Sequence, residues 1–300
     1  MTQTVSPPAA ATGRPWAALA AVTVTVLAWA SAFVVIRSVG EDFGPGPLSL
    51  GRLLIGSIVL GGILLARRTW VTPTRREWGF AVLCGLGWFG VYNVALNAAE
   101  QRIDAGTAAM LVNVGPILIA LLAGYFLKEG YPRWLLIGAA VAFGGAVLIG
   151  VATSHDSGTD LAGVLLCLVA AVTYAIGVVS QKPIVRRIPP LQAVWMSCTI
   201  AAVACLFYLP GLASDLGGAS GGSISGLLYL GLVPTALAFT TWGYALSRMN
   251  AGRLGVTTYV VPPLTIVMAL VLLDESPAVL ALAGGVVCLV GVALSRRASR

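Results

Sequence analysis

Charge is what this chain most lacks. Asp, Glu, Lys and Arg make up 10% of its 300 residues, where a water-soluble domain carries about a quarter. Hydrophobic residues reach 58% and the mean hydropathy is +0.92, so lipid must be the solvent for most of the chain. Histidine occurs once, as His155 beside Asp156, which leaves no imidazole pair for a metal centre. The cysteines (Cys84, Cys167, Cys198, Cys205 and Cys288) stand in apolar runs with neither a CxxC pair nor a nearby histidine. They read as small hydrophobes rather than a disulfide framework or a zinc site. No Walker A sequence is present, so ATP-driven transport would need another subunit. Gly85-Leu86-Gly87-Trp88-Phe89-Gly90 has GxGxxG spacing, but it follows no strand and lies inside an apolar run, which removes dinucleotide binding. No cofactor or metal is expected. A membrane enzyme would need His, Asp or Glu clustered near an interface, and none is present, so the chain reads as a non-enzyme. No carboxylate pair falls inside an apolar run either. Proton coupling therefore has no support, and facilitated export or exchange is the simpler expectation.

What is there is length of apolar run. A bilayer core of about 30 Å needs about 20 apolar residues of helix. Ten segments qualify: 16–36, 46–66, 78–99, 104–127, 133–152, 160–181, 191–210, 224–246, 252–273 and 278–295. Breakers stand between them, among them Gly44-Pro45-Gly46-Pro47, Pro132, Pro189-Pro190 and Pro277. A β-barrel would show alternating segments of about ten residues instead. Residues 1–15, rich in Pro, Ala and Thr, are expected to be a disordered cytoplasmic terminus. Segment 16–36 is too long for a signal-peptide core and is expected to stay as the first span.

The net charge of +7 sits in the connectors, as membrane orientation requires, and leaves no basic face for nucleic acid. With the N-terminus inside, alternate connectors collect Arg14; Arg67, Arg68, Arg75 and Arg76; Lys128 and Arg133; Lys182, Arg186 and Arg187; Arg248 and Arg253; and the tail 296–300 with Arg296, Arg297 and Arg300. The other side holds only Arg37 and Arg102. A multi-pass protein of the plasma membrane with both termini cytoplasmic is expected.

Sliding the sequence by 146 residues aligns Asp104-Ala105-Gly106 with Asn250-Ala251-Gly252, Pro116 with Pro262, Glu129 with Glu275 and Gly138 with Gly284. Proline and glutamate are scarce in such runs, so the match is specific. Residues 16–152 and 160–295 would each hold five helices, and an odd number inserts the second half upside down. The fold class expected is all-α integral membrane, as two inverted five-helix repeats. Secondary transporters use this plan, because the halves can exchange conformations around one central site.

A further set of residues carries a family likeness. Trp29-Ala30-Ser31-Ala32-Phe33 with Arg37 closes the first span, and Arg52-Leu53-Leu54 opens the second. Gly115-Pro116 then Glu129 is echoed by Val261-Pro262 then Glu275. In this order and duplication the chain resembles the EamA-type domains of the drug/metabolite transporter superfamily over residues 16–295. The resemblance implies export or exchange of small metabolites such as amino acids, through a cavity lined mainly by spans 1, 3, 4, 6, 8 and 9. The family's aromatic-Gly pair is Trp29-Ala30 here, a departure that bears on cavity shape. Drug or nucleoside efflux on the same fold is the alternative, and a channel the alternative of another class.

Candidate binding residues follow from what lipid penalises. Arg52 is the only charge well inside a span, where it costs a few kcal/mol; it either meets a substrate carboxylate or a helix end, or snorkels to the surface. Pro116 and Pro262 free the carbonyls of Val112 and Thr258, which must find partners. Asn93, Asn97, Asn113, Tyr174, Gln181, Thr258, Tyr259 and Trp242 should point inward, as helix glue or as ligand contacts. Trp29, Trp88, Tyr92, Tyr174, Trp242, Tyr244 and Tyr259 could stack a planar or amphipathic substrate, and Thr235 and Phe239 share a face with Trp242. The small-residue ridge Gly138, Ala142, Ala146 and Gly150 serves packing within the chain or a homodimer.

Overall fold

The computed structural model describes residues 15–128, 161–275 and 279–295, with separate positions between 130 and 148. Among the described residues all regular structure is helical. The expected disordered terminus (1–15) apart from Pro15, which begins a helix, most of the fifth span with Ala142, Ala146 and Gly150 of its small-residue ridge, and the basic tail lie outside them.

Helix α1 runs Pro15–Val39, α2 Pro45–Arg67 and α5 Leu161–Ile184. Helix α3 spans Arg75–Glu100, with a π-helical stretch at Gly85–Val91. Helix α4 spans Ala105–Phe126 in two pieces, Ala105–Val112 and Gly115–Phe126. Helices α6 (Pro190–Ala204) and α7 (Leu209–Gly218) follow. Helix α8 is Gly221–Arg248, with a second π-helical stretch at Gly231–Leu237. A five-residue α-helix at Ala251–Gly255 and a 3-10 segment at Val256–Val260 lead into α9 (Val261–Leu272), and α10 is Val279–Ser295.

Local chemistry sets these starts. Thr74 and Glu77 form a reciprocal capping box at α3, Asp104 Oδ1 accepts from Thr107 N–H at 2.8 Å to cap α4, and Ser220 caps α8. Pro45 and Pro190 stand at first-turn positions, where a missing N–H costs nothing.

Among the described residues six helices are long and apolar enough to cross a membrane: α1, α2, α3, α4, α5 and α8. The span expected at 191–210 is broken: α6 and α7 are together long and apolar enough to cross, and they meet at a 51° bend. Pro210 near the start of α7 and the 3-10 turn Leu206–Tyr208 make that corner, since proline cannot continue the hydrogen-bond ladder. The span expected at 252–273 passes through 3-10 geometry at Val256–Val260 for a related reason: Pro262 and Pro263 withhold two donors.

The element boundaries repeat at the 146-residue spacing. The π-helical stretches Gly85–Val91 and Gly231–Leu237 match end for end, as do Gly115–Phe126 and Val261–Leu272. Two residues beyond the end of each of the latter stands a left-handed residue, Lys128 (φ 59°) and Asp274 (φ 54°). Helix α1 packs against α8 and α9, α2 against α6, and α3 and α4 against α5. Gly177 lets α3 and α5 meet, since a Cβ there would lie 2.2 Å from Trp88 Cβ.

Candidate functional site

Between these helices lies a central cavity lined by Trp29, Phe33 and Ile36 of α1, Arg52 of α2, Trp88, Tyr92 and Leu96 of α3, Asn113, Tyr174, Phe239 and Thr258, among others. Its aromatic side is tightly stacked. The Trp29 ring stands 5.9 Å from Trp88, 5.5 Å from Phe239 and 5.0 Å from Trp242, and Trp88 lies 5.2 Å from Tyr174. Such edge-on and tilted pairs each add about 0.5–1.5 kcal/mol beyond burial. The rings leave a volume of about 40 Å³, so the cavity is nearly filled by its own side chains.

The polar side is built around two helix breaks. Pro234 removes the donor that Leu230 O would have used, and Thr235 Oγ1 donates to that carbonyl at 2.8 Å instead. The same hydroxyl accepts from Arg52 Nε at 3.0 Å. Arg52 is 3% exposed, which rules out the snorkelling alternative: its guanidinium is tied to the α8 break in the cavity wall. Across the cavity, Asn113 Nδ2 donates to Ala109 O at 3.3 Å and to Thr258 O at 3.4 Å. Thr258 O, which Pro262 deprives of its usual helical donor, also accepts from Val261 N–H in the 3-10 turn, so it has found partners as expected. Both amide hydrogens are spent, and Asn113 Oδ1 is buried with no hydrogen-bond partner among the described residues.

Of the candidate residues, the structure brings Trp29, Arg52, Asn113, Tyr174 and Thr258 to the cavity, with the stacking candidates Trp88 and Tyr92 and with Phe239. The others stand off it. Asn93 Nδ2 donates to Phe89 O within its own helix, and Asn97 Nδ2 ties α3 to Ser49 Oγ and Pro45 O of α2. Trp242 backs Trp29 from behind, and Tyr259 packs with Ile117 in a separate apolar cluster. Pro116 and Pro262 shape the breaks without lining the space. Sequence reasoning missed Ile36 and Leu96, apolar residues in apolar runs, and it missed Glu100 by ending the third span at 99. Glu100 is the last residue of α3 and 1% exposed. The pattern Asn93, Asn97, Glu100 recurs every three to four residues, and that shared face was the available signal.

Each end of the bundle carries a cationic latch. At one, Arg37 Nε pairs with Glu275 Oε1 at 2.6 Å and Arg37 Nη1 donates to Glu100 O at 2.8 Å. At the other, Lys182 Nζ donates to Leu246 O at 2.6 Å and Met249 O at 2.5 Å. The capped carbonyls of Glu100 and Leu246 are themselves 146 residues apart. Arg187 pairs with Glu77 and donates to Thr72 O at 2.9 Å; that carboxylate holds the guanidinium above its usual range. Near Lys182 lies a wider groove of about 860 Å³, with Arg76, Lys128 and Arg186 in its wall.

The EamA-like transporter family matches the chain twice, over residues 15–151 and 161–297. The chain belongs to this family. It is therefore a multi-pass membrane transporter of small metabolites, and the two matches stand 146 residues apart, as the helix boundaries do. Over 280 residues, covering 92% of each chain, it is 36% identical to a Streptantibioticus cattleyicolor protein named "Probable terminal-alkyne amino-acid exporter". Over 284 residues, covering 90% of this chain and 91% of the other, it is 28% identical to a Salmonella typhimurium protein named "Probable amino-acid metabolite efflux pump". A crystal structure with TM-score 0.68 and 20% identity, covering 94% of this transporter and 98% of that chain, has the same fold.

Proposed function

We propose that this transporter exports or exchanges amino acids with apolar or unsaturated side chains across the plasma membrane by alternating access. In this reading ten spans form two inverted five-helix repeats, both termini are cytoplasmic, and Arg37 and Glu275 stand at the outer end. The positive-inside bias supports that orientation, and the duplicated breaks support a shared midplane site.

The observation that carries the substrate assignment is the placement of three chemistries in one cavity. Arg52 presents a guanidinium suited to a carboxylate. Asn113 Oδ1 is an unspent acceptor suited to an ammonium donor. Trp29, Trp88, Tyr92 and Phe239 form an aromatic wall for an apolar or π-bearing side chain. The names of the two relatives, an amino-acid exporter and an amino-acid metabolite efflux pump, support the same class.

The test is counterflow in proteoliposomes. Labelled L-phenylalanine or L-leucine should exchange against unlabelled substrate. Asn113→Leu should lose tenfold or more in apparent affinity while remaining folded, as expected when a polar partner to a charged group is removed. Exchange of nucleosides but not amino acids would favour the alternative cargo, and wild-type exchange by Asn113→Leu would remove the ammonium assignment.

A further inference from the structure

Glu100 is used by neither the fold nor the cavity as described so far. It is 1% exposed, and neither carboxyl oxygen has a hydrogen-bond partner among the described residues. Only its backbone carbonyl is engaged, by Arg37. An ionised carboxyl taken from water without donors carries a cost of several kcal/mol, and taking up a proton removes it. Its place in the bundle is the second observation. One turn before it, Leu96 lines the cavity; beside it, Ile36 lines the cavity and Arg37 forms the latch. Glu100 thus stands between the binding space and the latch that joins α1 to the end of α9.

We propose that Glu100 is the proton-binding site of this transporter and couples export to proton entry. The proposal rests on the orientation and cargo of the preceding section. The groups whose fields reach it come from every neighbouring element: Arg37 of α1, Arg52 of α2, Tyr92 of its own helix, Asp104 at the start of α4, Cys167 of α5 and Glu275 after α9. Arg37 is the shared partner. With Glu100 neutral, Arg37 stays on Glu275 and the outer end is closed, as in this structure. With Glu100 ionised, two carboxylates compete for one guanidinium, and the hold on the end of α9 weakens. The ionised carrier therefore opens outward with its cargo and releases it. A proton passes from external water to a Glu100 carboxyl oxygen, and the latch closes. The proton then leaves through the cavity to the cytoplasmic side before the next cargo binds. One proton enters for each substrate exported.

Two measurements test this. Infrared difference spectra between acid and alkaline buffer should show a carboxylic-acid band in wild type that Glu100→Gln lacks and Glu100→Asp shifts. In proteoliposomes, a one-unit pH difference should sustain up to about a tenfold ratio of labelled L-phenylalanine for one-to-one exchange. In Glu100→Gln, whose fixed neutral side chain leaves Arg37 on Glu275, the pH difference should no longer raise that ratio, and exchange at equal pH should slow. Survival of the band in Glu100→Gln, or an undiminished gradient response, overturns the proposal. Should Glu100→Gln fail to fold, an unshifted band in Glu100→Asp overturns it and a shifted one supports it. A wild type with the Glu100 band but no phenylalanine exchange would reject the amino-acid cargo and leave the proton site standing.

Discussion

Arg52 illustrates how a charge is tolerated at membrane depth. A lone guanidinium there costs a few kcal/mol, and the chain offsets this by placing it against a backbone defect that itself needs polar company. Thr235 serves both, donating to Leu230 O and accepting from Arg52 Nε. Thr235→Val keeps the shape and removes both bonds. It should destabilise the detergent-solubilised protein by about 1–3 kcal/mol, the cost of a buried group left unpaired, and weaken carboxylate recognition by letting Arg52 wander. Thermal unfolding and the counterflow half-saturation concentration would check the two effects. Unchanged values in both would show that Arg52 is held by something else. At this scale the sequence was a partial guide. It marked Arg52 and Asn113 as costly, but it marked Asn93 and Asn97 equally, and those two stand off the cavity, with their amide nitrogens bonded inside α3 and to α2.

Among elements, the π-helical stretches at Gly85–Val91 and Gly231–Leu237 do the positioning. A π stretch widens the helix and rotates the face that follows. In α3 this brings Trp88 and Tyr92 to the cavity, and in α8 Phe239. Such rotation works only if the neighbour yields space, and in α5 Gly177 yields it to Trp88. Gly177→Ala adds one methyl into a gap already occupied by a ring. Overpacking of this kind typically costs about 1–3 kcal/mol, and here it would also push Trp88 against Trp29. Lower thermal stability together with loss of exchange is the expected outcome, measured on purified protein. A stable and active Gly177→Ala would mean that α3 and α5 can separate without harm. Hydropathy located both helices because length and apolarity suffice for that. It could not show the π turns, which arise from glycines and a proline whose effect depends on what packs beside them.

For the whole molecule, the repeated boundaries and the paired latches bear on how the two ends trade places. If the halves are inverted, Lys128 and Asp274, 146 residues apart and both exposed, stand on opposite sides of the membrane. Cysteine at position 274 should then react with an impermeant maleimide in intact cells, and cysteine at 128 only after permeabilisation. The native thiols Cys84, Cys167, Cys198 and Cys205 are buried and should add little background. Reaction of both from one side would end the inverted-repeat reading and alternating access with it.

The amino-acid sequence by itself determined the solvent, the helical class, the duplication at a spacing of 146 residues and the scarce polar positions, because each rests on composition or spacing along the chain. Tertiary structure alone decided which polar groups face the cavity, that Glu100 is buried, and that α6 and α7 bend at 51°. The physical reason is the solvent. In water a helix shows its buried face by contrast between apolar and polar sides, whereas in lipid both faces are apolar and the contrast disappears. Only the contacts made by packed neighbours then tell inside from outside.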